Sequence, residues 1–280
     1  MSSENPEAII QRILVALDAS SYSLAALEAA ARLAATLEAE LDGLYVEDVN
    51  LLRWAELPFT RVVRYPASTD EEIDAVIMEE QLRRRAESAR RALAHIAREL
   101  DVTWSFKVVR GQVTSELLAA ALEADMLALG WLSYPRTRRR RLGSTALALA
   151  TQSPRVVWLP SREAAEEDAP IFVTYDGSPV ARKALALADH LAAQAPIVCV
   201  LTGPADAVRQ LKEEVQGLLT TKEARQVMFR HLPEVSVENL ARLVQLEQGG
   251  ALVVGGQIPF PELALEYLLN QLDCSLLLVR

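Results

Sequence analysis

No stretch of this 280-residue chain is apolar for long enough to span a bilayer, and Met1 to Gln11 carries acidic residues and Pro6 where a leader would need a continuous apolar core. A membrane protein is therefore not expected, and a cytoplasmic one is. Cysteine is scarce. Cys199 and Cys274 sit singly in apolar stretches, without a paired-cysteine motif or histidines at metal-ligand spacing, so each reads as a small core residue. Positive charge is in deficit, and a formal net charge of −9 argues against nucleic acid as a partner, because binding a polyanion depends on a basic surface. The three histidines, His95, His190 and His231, lie beside no recognisable nucleophile or carboxylate partner, and no lysine follows a glycine loop in the Walker arrangement. No catalytic residue and no metal site is assigned.

What is present is 51% apolar and 24% charged residues, an ordinary globular balance, over a length that fits two domains. Ile13 to Leu17 is a short apolar run ending at Asp18 and Ser20, the pattern of a buried parallel strand entering a turn. Leu24, Leu27 and Ala31 follow at helical spacing, and Leu41 to Val46 forms a second strand. A segment with Pro58 and Pro66 leads to a charged helix expected from about Glu71 to Leu100. Trp104 to Val108, Met126 to Leu129 and Val156 to Leu159 read as further strands, with helices over Ser115 to Glu123 and Gly143 to Thr151.

The series then restarts. Ile171 to Tyr175 ends in Asp176-Gly177-Ser178 just as the first strand ends in Asp18-Ala19-Ser20, and a helix over Ala184 to Ala193 follows. Strands over Ile197 to Leu201, Val227 to Leu232, Ala251 to Val254 and Ser275 to Val279 complete a shorter second set. Alternation of strand and helix predicts an α/β fold: two tandem doubly wound, Rossmann-like domains, each with a mainly parallel five-stranded sheet. The expected boundaries are 1–160, a linker at 161–169 rich in Glu and Ala, and 170–280.

One loop carries chemistry. Gly130-Trp131-Leu132-Ser133 is followed by nine residues and then Gly143-Ser144-Thr145 at the start of a helix. Glycines let the backbone approach a ligand closely, and the free amides and dipole of a helix N-terminus suit phosphate. This spacing resembles the glycine, two residues, glycine, nine residues, Gly-Ser or Gly-Thr loop of ATP-binding universal stress proteins, with Ser133 standing where that pattern has its second glycine. With the repeated strand-Asp-x-Ser starts, the resemblance covers nearly all of residues 11–160 and, more loosely, 170–280.

The resemblance implies that the first domain binds ATP or a related adenine nucleotide, with Mg²⁺ held through the phosphates. Backbone near Ala16 and Val46 and the Asp18 side chain would meet adenine or ribose. Gly130, Ser133, Gly143, Ser144 and Thr145 would form the phosphate loop. Five arginines, Arg136 and Arg138 to Arg141, lie inside the nine-residue insert, and Arg138 and Arg140 are candidate phosphate contacts, since guanidinium pairs well with phosphate oxygens. In the second domain Gly255-Gly256-Gln257 is followed by Pro259 and Pro261 with no Gly-Ser pair, so that domain is expected to be degenerate and retained for packing.

The expected function is that of a regulatory stress-response protein whose nucleotide changes the surface offered to an unidentified protein partner, with at most slow ATP hydrolysis. The alternative is a nucleotide-independent interaction module that docks through its arginine-rich loop. The resemblance also implies an intramolecular pseudo-dimer, or a homodimer, with Val156 to Leu159 and Ser275 to Val279 as candidate edge strands.

Overall fold

A computed structural model describes residues 10–57, 61–64, 69–72, 75–130, 132–133, 140–141, 143–161, 168–192, 194–219, 226–234, 236–256 and 262–280. In the first half β1 (Arg12–Leu17), α1 (Ser21–Leu37) and β2 (Glu40–Asp48) form a β-α-β unit. Next come α2 (Val49–Ala55), the strand pair β3 (Arg61–Arg64) and β4 (Thr69–Glu72), and the long helix α3 (Ala75–Glu99). β5 (Trp104–Gly111), α4 (Val113–Ala121) and β6 (Met126–Ala128) precede the short strands β7 (Leu132–Ser133) and β8 (Arg140–Arg141), then α5 (Ser144–Gln152) and β9 (Val156–Leu159).

The second half repeats the plan with β10 (Ile171–Tyr175), α6 (Pro179–Leu191), β11 (Ile197–Thr202), α7 (Val208–Leu218) and β12 (Val227–Leu232). It ends with α8 (Val237–Leu246), β13 (Ala251–Val254), α9 (Glu262–Gln271) and β14 (Ser275–Leu278). None of the described helices is long and apolar enough to cross a membrane.

Local sequence explains the elements. α1 buries Ala26, Leu27, Ala30, Ala31 and Ala34, an i, i+3, i+4 stripe of small residues that lets the helix lie close to the sheet, and Ser20 caps it by accepting the Ser23 amide. Ser178 caps α6 in the same way through the Ala181 amide. β10 and β11 are buried along almost their whole length, as strands covered on both faces must be.

Ten of the strands form one sheet in the order β12-β11-β10-β13-β14-β9-β6-β1-β2-β5. Each half contributes five strands with the same connectivity, and within each half every pairing is parallel. The halves join where β14 meets β9 antiparallel, Leu276 opposite Leu159 and Leu278 opposite Val157. These two strands, expected at sheet edges, therefore lie in the middle of the sheet, and their backbone groups and leucines are covered by each other. Two apolar layers, one on each face, run through both halves.

Polar contacts reinforce the join. Ser161 N–H donates to Ser275 Oγ at 2.9 Å and Ser161 Oγ donates to Asp273 O at 2.9 Å. Arg280 donates to the carbonyl oxygens of Ala150 and Thr151 in the last turn of α5, where helix carbonyls lack partners within the helix.

Three local expectations change. The long helix starts at Ala75, since Glu71 belongs to β4 and pairs with Val62 of β3. The segment from Gly130 to Thr145, read as loop, contains the antiparallel pair β7–β8, with Ser133 opposite Arg140. The helix after Gly177 begins earlier than Ala184, at Pro179, because Ser178 caps it and proline is well suited to a first helical turn. Cys199 and Cys274 are both buried, in keeping with their reading as core residues.

Candidate functional site

The first half's chain order reverses beside β1, which is flanked by β2 on one side and β6 on the other. Connections leaving the carboxyl ends of β1 and β6 diverge to opposite faces, opening a crevice there. A cavity of about 490 Å³ fills it. Its lining brings together Ala16, Asp18, Val46, Gly130, Gly143, Ser144 and Thr145, residues spread over 130 positions of sequence. The volume lies within the range of small-ligand sites, roughly 300–1,000 Å³.

Each wall has a distinct chemistry. Leu44, Val46, Val113, Leu117, Leu129 and Leu149 provide an apolar slot on the face covered by α4 and α5. The phosphate-receptive end is the start of α5. Gly143 is its N-cap and makes no side-chain capping bond, whereas Ser20 serves α1. The first amides of α5 are thus left for another acceptor. A Cβ built on Gly143 would meet nothing within 4 Å, so packing does not demand glycine there.

Gly130 is different. A Cβ at this position would lie 2.6 Å from the Tyr22 carbonyl oxygen, so the chain can leave β6 against the first turn of α1 only without a side chain.

Asp18 is held by the turn that follows β1. Its Oδ1 accepts the Ser20 N–H at 2.9 Å, its own N–H reaches Ser23 Oγ at 3.4 Å, and Ala19 between them adopts φ +60°. Burial pushes the Asp18 carboxyl up, but hydrogen bonds with Ser20 and Ser23 outweigh it and hold it below its ordinary value. Asp18 is an ionised acceptor at neutral pH, suited to hydroxyl or amino donors. Tyr45 of β2, opposite Leu17, lines the same cavity, and burial raises its phenol.

Other predicted residues lie elsewhere. Ser133 and Arg140 face each other in β7–β8, where the backbone alone is described, and Arg138 lies outside the described residues. None of the three histidines lines the cavity. Sequence reasoning missed Tyr22, Asp48, Arg85, Val113 and Leu117, which α1, the end of β2, α3 and α4 bring to the same crevice. Val113 and Leu117, four apart on one helix, carry the nearest thing to a sequence signal.

The equivalent strand ends of the second half carry different side chains, which hydrogen-bond to one another and to the backbone. By strand register Thr174, Asp176, Thr202 and Gly255 take the places of Ala16, Asp18, Val46 and Gly130. Thr174 Oγ1 donates to Gly255 O at 2.8 Å and accepts the Gly255 N–H at 3.0 Å, a side-chain link that Ala16 cannot make in the first half. Tyr175 OH and Arg182 Nε both donate to Glu214 Oε1, at 2.8 and 2.6 Å, closing the adjoining face. Asp176 lies so close to Gly256 that a Cβ there would sit 2.6 Å from its carboxylate.

Comparison with known proteins agrees with this architecture. A universal stress protein from Archaeoglobus fulgidus DSM 4304 superposes over 97% of this chain and 98% of its own, with TM-score 0.72 and 14% identity. The protein PA1789 from Pseudomonas aeruginosa PAO1 covers 97% of this chain and 92% of its own, with TM-score 0.62 and 15% identity. At these identities the likeness is one of fold. No curated protein matches the sequence. The model of the universal stress protein family matches residues 10–159, the half that contains the crevice and more than half of the chain, and the protein therefore belongs to the universal stress protein family.

Proposed function

We propose that the first half binds ATP or a related adenine nucleotide in the crevice above β1 and β6, and that the protein acts as a regulatory stress-response protein through that ligand. The observation that carries the reading is the convergence on one cavity of an apolar slot, the ionised Asp18 and the uncapped start of α5. The slot suits a purine, Asp18 accepts from ribose or base, and the amides of Gly143, Ser144 and Thr145 suit phosphate. Mg²⁺ would enter with the phosphates, supplying charge neutralisation. Asp18 and Asp48 are the carboxylates in the lining.

Binding is confined to the first half in this reading, because no Gly-Ser pair follows Gly255-Gly256 in the second and Thr174 is hydrogen-bonded to the Gly255 backbone. Residues 1–160 form the nucleotide-binding domain, 161–169 the linker, and 170–280 the domain that packs against the first through β14. The chain is thus an intramolecular pseudo-dimer. It works in the cytoplasm, and its output is a changed surface around the loop from Gly130 to Thr145, offered to a protein partner.

Titration calorimetry of nucleotide-stripped protein with ATP and Mg²⁺ tests the proposal. One site per chain, lost in Gly143→Asp and weakened in Asp18→Ala, is the expected result. A folded protein that takes up no adenine nucleotide would overturn it.

A further inference from the structure

The cavity wraps over the carboxyl edge of the sheet, and its two ends differ in what covers them. Ser144, Thr145 and Leu149 of α5 close one end, on the face shared with α4. Leu82 and Arg85 of α3 close the other, beside Tyr45, on the face shared with α1. Among the lining residues Arg85 is the cation, against the carboxylates of Asp18 and Asp48.

Its neighbours on the helix are differently engaged. Arg84 pairs with Glu80 at 2.5 Å and Arg90 with Glu87 at 3.2 Å, each one turn away. Arg110 bridges Glu47 and Glu79, at 2.9 and 3.0 Å, and so ties α3 to the end of β2. Arg85 makes no ion pair among the described residues. Burial raises the Tyr45 phenol, and the charges of Arg85, Glu47 and Asp18 all act on it; Tyr45, Arg85 and Asp18 line the same cavity. α3 is fastened down, and its Arg85 lines the cavity without a salt bridge to any described carboxylate.

We propose that Arg85 recognises a second anionic group on the ligand, so that the crevice prefers an adenine nucleotide phosphorylated on the ribose as well as at the 5′ position. This rests on the adenine-nucleotide reading above. With 5′-phosphate at α5, the base in the apolar slot and the ribose beside Asp18, the ribose hydroxyl positions are what remain to face α3. A phosphate there gains a charge-assisted bond from Arg85. A ligand with all its phosphates at the 5′ end leaves Arg85 without a phosphate partner.

ADP and adenosine 3′,5′-bisphosphate make the test, since each carries two phosphates and they differ in where the second one sits. The readout is the ratio of their dissociation constants from calorimetry on the full chain, with circular dichroism confirming that each variant is folded. The wild type is expected to favour the bisphosphate by about tenfold, Arg85→Gln to bring the ratio close to one, and Arg85→Lys to fall between. ADP binding with no preference for the bisphosphate would overturn the role of Arg85 and leave the adenine-nucleotide reading standing. A preference that survives Arg85→Gln would also overturn it. Binding of neither compound would remove both.

Discussion

Gly130 and Tyr22 meet backbone to backbone: a Cβ on the glycine would stand 2.6 Å from the tyrosine carbonyl oxygen and 3.1 Å from the Ser23 amide nitrogen. The end of β6 and the first turn of α1 are thereby locked together at the rim of the cavity. Gly130→Ala is expected to push α1 away from the sheet, costing about 1–3 kcal/mol of stability. Chemical denaturation measures this, and an unchanged midpoint would show that the contact relaxes freely.

Asp18 gives a pH signature. Its folded carboxyl lies below the ordinary value of about 3.9, so its hydrogen bonds stabilise the fold above that pH and the contribution is lost as pH falls through the lower folded value. Stability measured from pH 6 down to pH 2 should fall more steeply in the wild type than in Asp18→Asn, with the two curves converging at the acid end. Parallel curves would mean that the turn does not favour the charged form.

Thr174 is buried and both donates to and accepts from the Gly255 backbone. Thr174→Val keeps the shape but leaves a buried amide and carbonyl without that partner, at an expected cost of about 1–3 kcal/mol. A variant as stable as the wild type would show that water or a backbone shift replaces the hydroxyl.

Cys199 lies fully buried in β11, and burial pushes its thiol up to about 12. The native protein should therefore resist alkylation at Cys199 at pH 8, with labelling following global unfolding in denaturant. Rapid labelling of the native state would reveal local opening of β11.

Much of the fold is legible in local sequence because its signals are local. Ile13 to Leu17 and Ile171 to Tyr175 are short apolar runs closed by Asp-x-Ser, and both became strands capped into helices by Ser20 and Ser178. The motif residues Gly130 and Gly143 to Thr145 reach the same cavity because strand-to-helix loops open at the carboxyl edge. What local pattern does not carry is long-range pairing. Leu276 opposite Leu159 looks like any apolar strand residue until the two halves meet. Arg85 sits in an arginine-rich stretch whose other members look the same in sequence, and packing of α3 alone brings it to the crevice. Helix α2 and the β3–β4 pair lay in a segment whose prolines masked any period.

The most direct test of the account is titration of ATP with Mg²⁺ into the wild type and Gly143→Asp. The space beside Gly143 is open and an aspartate can cap α5, so the variant should fold with stability within a few tenths of a kcal/mol of the wild type. Its carboxylate would take up the helix amides and repel phosphate. Saturable binding at one site in the wild type, abolished in a folded Gly143→Asp, is the predicted result. Equal binding by both proteins would place the nucleotide elsewhere and contradict the account.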